Sequence, residues 1–126
     1  RIKKLGFLGL SFKAGTDDLR NSPAVFLIET LLGKGFDIKI FDTNIELSRL
    51  LGTNKEYIDQ HIPHLNKLLV HSVDDIFEHA DLIIINNKEE EYISKIKELG
   101  KEKQILDMVR LPDEFRKSTN YKGINW

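Results

Sequence analysis

A chain of 126 residues, 40% of them hydrophobic, has the size and apolar content of one domain with a real core, which excludes an intrinsically disordered segment. Its 19 Lys and Arg nearly cancel its 20 Asp and Glu, so it carries no electrostatic footprint for nucleic acid or for an anionic membrane. With no cysteine, the chain itself supplies no disulfide framework, thiolate zinc site or cysteine nucleophile.

The chain opens on Arg1 rather than Met and enters a strand-like segment almost at once, as a piece of a longer protein would. No signal-peptide pattern opens it and no apolar run approaches the ~20 residues that span a bilayer, so a soluble, cytoplasmic protein is the expectation. Lys4–Leu10 (KLGFLGL) is apolar and punctuated by Gly, short enough for a buried strand that runs into a tight turn. Ser11–Asn21 is polar and turn-prone. Ser22-Pro23 then starts a helix, with Ser as N-cap and Pro at the first helical position. Val25, Ile28, Leu31 and Leu32 recur at helical spacing, so Pro23–Lys34 packs one face on the sheet, and Gly33 and Gly35 bracket its end.

Phe36–Phe41 (FDIKIF) alternates as a second strand, closed by Asp42. Leu47, Leu50 and Leu51 mark a short helix, and Lys55–Ile62 another that Pro63 halts. Leu68–His71 reads as a short third strand, Val73–His79 as a short helix, and Leu82–Ile85 (LIII) as a fourth strand bounded by Asp81 and Asn86-Asn87. Glu89–Leu99 is an amphipathic helix with Tyr92, Ile93, Ile96 and Leu99 inward. Gln104–Met108 is a fifth strand, and Gly123–Trp126 a sixth at the far edge. This alternation predicts one α/β domain over residues 1–126. Its doubly wound, mostly parallel, six-stranded Rossmann-like sheet has the order 3-2-1-4-5-6, in a three-layer sandwich.

Ligands of such sheets bind at the carboxyl ends of the strands, where the strand order reverses, which points to Ser11–Asn21 and to the end of the fourth strand near Asn86. The first loop is longer than a dinucleotide-binding turn requires. The spacing Gly6-x-x-Gly9 lacks the third Gly of the dinucleotide fingerprint, so tight NAD binding by this domain is not supported. Close packing and a turn explain both glycines. Lys13 and Arg20 are two cations in one loop beside a helix N-terminus, a set that suits phosphate. Pairing of the same two with Asp17 and Asp18 in a solvated loop is the alternative.

Asp42 stands where many Rossmann domains put an acid on a ribose hydroxyl, and a capping or turn role is its alternative. His61, His64, His71 and His79 have neither metal-ligand spacing nor acidic clustering around them, which makes them surface or packing residues. Asp74-Asp75 and Glu89-Glu90-Glu91 fall at helix N-termini, where carboxylates complement the dipole. No nucleophile–base pair is legible, so the chain reads as a binding domain rather than a complete active site.

The run Leu8-Gly9-Leu10-Ser11-Phe12-Lys13-x-x-Thr16-Asp17-Asp18-x-Arg20-x-Ser22-Pro23 resembles the signature that opens the C-terminal domain of the UDP-glucose/GDP-mannose dehydrogenase family. The likeness continues through Phe41-Asp42 and the strand–helix alternation to the C-terminus. Leu47-Ser48-Arg49-Leu50, Gly52-x-Asn54-x-x-Tyr57-Ile58, Ile62-Pro63-His64 and Gly123-Ile124-x-Trp126 look like the branch of that family that acts on GDP-mannose.

The resemblance implies an enzyme that oxidises the C6 hydroxyl of a nucleotide-bound sugar to a carboxylate with two NAD in succession. It implies a homo-oligomer whose N-terminal domain binds NAD and whose central helical region supplies a cysteine nucleophile. The C-terminal domain, which this chain resembles, holds the nucleotide sugar. Lys13 then contacts the substrate with Phe12 beside it, and Arg20 reaches across the cleft to NAD. UDP-sugar members carry Asp-Gly-Arg after the fifth strand, with that Arg on substrate. Here the segment is Asp107-Met108-Val109-Arg110, so Arg110 is displaced by one position, which in a strand turns a side chain to the other face. That difference agrees with a branch that does not use UDP. Competing expectations are the same domain of a UDP-glucose or UDP-amino-sugar dehydrogenase, and a free-standing Rossmann-like binding module.

Overall fold

Successive side chains of a strand point to opposite faces, so an unbroken apolar run such as LIII requires cover on both sides of its sheet. The computed structural model describes residues 3–10, 23–51, 63–99, 103–109 and 121–123. Its five strands are β1 (Lys4–Leu8), β2 (Asp37–Phe41), β3 (Leu82–Ile85), β4 (Gln104–Asp107) and β5 (Tyr121–Gly123). They form one sheet in the order β2-β1-β3-β4-β5, parallel at every pairing, with Leu5 opposite Ile38 on one side and Leu82 on the other. The helices are α1 (Pro23–Gly33), α2 (Thr43–Leu51), α3 (Pro63–Asn66), α4 (Val73–His79) and α5 (Glu90–Leu99).

The sheet divides the core in two. On one face Leu5, Phe7, Ile38, Ile40 and Ile84 meet Val25 and Ile28 of α1, Ile45 of α2 and Leu65 of α3. On the other, Leu8, Phe41, Ile83, Ile85 and Ile105 meet Ile76, Phe77 and Ala80 of α4 with Tyr92 and Ile96 of α5. Ile93 and Leu99 pack at the margin of that second cluster. On this face α4 lies close against β1, because a Cβ on Gly6 would stand 2.6 Å from Ile76 Cγ2 and 3.0 Å from the Ala80 methyl. The termini of the helices follow their sequences. Ser72 caps α4, accepting the Asp75 N–H at 3.3 Å, with Asp74 and Asp75 in the first turn. At the end of α1, Phe36 N–H reaches the Leu31 carbonyl (3.2 Å) and Gly35 N–H the Leu32 carbonyl (3.0 Å), a Schellman pair.

The six expected strands are five among the described residues. Leu68–His71 is not a strand: Leu69 alone makes a parallel bridge to Ile40 of β2. Ile40 N–H donates to the Leu68 carbonyl (2.9 Å) and Val70 N–H to the Ile40 carbonyl (2.8 Å). The run is shortened from both ends. Leu68 and Leu69 still donate back to Leu65 and Asn66 in the last turn of α3, and Ser72 already caps α4. Pro63 opens α3, where its missing N–H costs nothing. Lys55–Ile62 lies outside the described residues. Helix α2 begins at Thr43, ahead of the leucines that signalled it, and the last strand is Tyr121–Gly123, with 124–126 outside the described residues. No helix among the described residues is long and apolar enough to cross a membrane.

Candidate functional site

The buried polar side chains of the described residues are Asp42, Asn86, Asn87 and Asp107. Asp42 follows β2, Asn86 and Asn87 follow β3, and Asp107 closes β4, so all four stand at the carboxyl edge of the sheet. Burying such groups is unfavourable unless they are hydrogen-bonded, and their concentration at one edge marks it as more than core. The same edge contains the switch point. The chain leaves β1 for β2 on one side and returns to β3 on the other, which makes this edge the place where ligands of such sheets bind.

Gly9 and Leu10 follow β1 at this switch point. Gly9 has φ +98, and its N–H donates to the Phe41 carbonyl at 2.8 Å. A Cβ at this position would collide with the Asn87 side chain, lying 2.7 Å from its Cγ. Leu10 N–H donates to Asp42 Oδ2 at 2.8 Å. Asn86 N–H continues the ladder to the Leu8 carbonyl (2.9 Å), while its buried Nδ2 donates to the Gly9 carbonyl at 3.2 Å. At the end of β4, Met108 N–H donates to the Ile85 carbonyl (3.0 Å) and Val109 N–H to Asp107 Oδ1 (2.8 Å), which turns the chain away from the sheet.

Asp42 does two jobs. Its Oδ1 accepts the N–H groups of Asn44 (2.9 Å) and Ile45 (3.0 Å) and so caps α2. Thr43 N–H donates to Tyr92 Oη at 2.9 Å, and Thr43 Oγ1 to Glu91 Oε1 at 3.0 Å, which ties the start of α2 to the start of α5. Tyr92 is buried edge-to-face on Phe41 with ring centroids 6.1 Å apart. Burial first, then the charge of Asp42, pushes the Tyr92 phenol well above its ordinary value, so it stays protonated.

Of the residues singled out in the sequence, Phe12, Lys13, Arg20 and Arg110 lie outside the described residues. Leu10 and Val109 precede their segments in chain order. Asp42 takes the capping alternative, with both oxygens on backbone amides. Two histidines that the sequence leaves without acidic neighbours acquire them by folding. His71 Nδ1 stands 2.8 Å from Glu46 Oε2, and His79 Nε2 stands 3.0 Å from the Asp37 carbonyl and 3.7 Å from its carboxylate. Among the described residues no group of His, Asp and Glu is arranged to hold a metal ion.

The sequence pointed to the end of the fourth strand near Asn86 as a ligand edge but did not show the Asn86 contact with Gly9. The available signal was two amides placed directly after the buried run LIII, at the edge where ligands bind. A groove lined by Asp74, Phe77, Glu78, Leu99 and Lys103 lies beside the amino end of β4, and none of the candidate binding residues lines it.

The family model for the UDP binding domain of the UDP-glucose/GDP-mannose dehydrogenase family matches residues 6–114. The chain is 48% identical over 125 residues to GDP-mannose 6-dehydrogenase of Pseudomonas syringae pv. tomato, an alignment covering 98% of this chain and 28% of that protein. It is 34% identical over 110 residues to UDP-glucose 6-dehydrogenase of Rickettsia conorii, covering 87% of this chain and 22% of that one. Among solved structures, GDP-mannose dehydrogenase of Pseudomonas aeruginosa, in a ternary complex, superposes with a TM-score of 0.83 at 41% identity over 98% of this chain and 28% of its own. The chain thus spans about a quarter of the length of the curated relatives it matches.

Proposed function

The chain belongs to the UDP-glucose/GDP-mannose dehydrogenase family through its UDP binding domain, and from that premise we propose that residues 1–126 are the C-terminal nucleotide-sugar-binding domain of an NAD-dependent GDP-mannose 6-dehydrogenase. The observation that carries the choice of nucleotide is the 48% identity to a GDP-mannose enzyme against 34% to a UDP-glucose enzyme. The switch point of the strand order, with the buried polar residues beside it, supports a ligand at the carboxyl edge.

In this reading Lys13 sets a point charge on the diphosphate and Phe12 packs beside the nucleotide sugar. Arg20 reaches NAD bound by the other domain, and Arg110, one position off the family pattern, is a secondary substrate contact. Oxidation of a C6 hydroxyl to a carboxylate removes two hydrides, and NAD supplies that chemistry when bound. The described residues do not fit a dinucleotide of their own. Asp42, the acid a ribose would require, has both oxygens on backbone amides, and Asn87 covers Gly9 where a pyrophosphate would approach. This chain therefore binds and orients the substrate, and the thiol for the second oxidation comes from outside a chain that has no cysteine. The cytoplasm is its expected location.

Calorimetric titration of GDP, UDP, GDP-mannose and UDP-glucose into the chain tests the reading. GDP ligands should bind saturably, and Lys13→Ala should weaken them about tenfold or more, as loss of a charge-assisted phosphate contact does. A preference for UDP ligands would move the chain to the UDP-sugar branch. Absence of binding by any of the four would remove the assignment.

A further inference from the structure

We draw no further inference here: the strongest candidate, the side-chain cluster of Glu89, Glu90 and Glu91 at the amino end of α5, where Glu89 Oε2 is buried without a hydrogen-bond partner among the described residues, is an acidic cluster at a helix N-terminus whose Glu89 is itself only half-buried, and nothing in the structure shows a ligand for it.

Discussion

At Gly9 two constraints coincide: a left-handed backbone at φ +98 and a Cα facing the Asn87 side chain. Either would disfavour a side chain, since an ordinary residue held in that region costs on the order of 1–3 kcal/mol before any collision. Gly9→Ala should therefore lower the unfolding free energy by at least that order, read from the urea midpoint at unchanged m-value. A loss under about 0.5 kcal/mol would mean that the turn relaxes at little cost. Asp42 shows the opposite case, a residue whose role was ambiguous in sequence. An acid after the second strand is equally suited to a ribose and to a helix cap, and only the positions of the Leu10, Asn44 and Ile45 amides decide between them.

Between elements, the contact of α2 with α5 through Thr43 and Tyr92 gives the fold a dependence on alkaline pH. The Tyr92 phenol is raised in the folded chain, by burial first, above the value of about 10 that it has when unfolded. Above that pH the unfolded chain has released the proton and the native chain still binds it, so stability falls as pH rises. Tyr92→Phe should cost about 1 kcal/mol near neutrality, through the lost acceptor for Thr43 N–H, and should flatten the decline above about pH 10. Urea unfolding of both proteins at neutral and alkaline pH measures this, and parallel declines would refute it.

The elements themselves were largely legible. LIII, FDIKIF and the helix opened by Ser22-Pro23 carry their periodicity and punctuation locally, and each forms close to where it was read. What was not legible depended on competition between neighbours. Leu68–His71 has strand composition, yet the last turn of α3 and the Ser72 cap consume its ends. The early start of α2 was hidden because its signal is the Asp42 cap rather than an apolar stripe. At the site, the carboxyl edge followed from topology, while Ser11–Asn21 lies outside the described residues. The grip of Asn86 on Gly9 joins residues far apart in the chain, and no spacing rule could have shown it.

For the whole molecule, a sheet covered on both faces places every strand's carboxyl end at one rim, so a ligand there touches segments from several parts of the chain. Binding at such a rim should stabilise the entire fold. At about 100 times Kd, GDP is expected to add about 2.7 kcal/mol, visible as a raised Tm, with UDP adding less. The same chain given GDP-mannose and NAD should produce no NADH, because the proposed function assigns this chain substrate binding alone. Measurable turnover would contradict the division of labour proposed here.

The close approach of α4 to β1 over Gly6 carries a consequence for the history of this sequence. A Cβ at position 6 would meet Ile76 at 2.6 Å and Ala80 at 3.0 Å, so these three positions share one allotment of space. A lineage that gains a methyl group at position 6 must give up volume at 76 or 80 in the same interval, or lose the seat of α4. Substitutions at these sites should be inherited as linked sets, and a single exchange at any one of them should survive only as a brief intermediate.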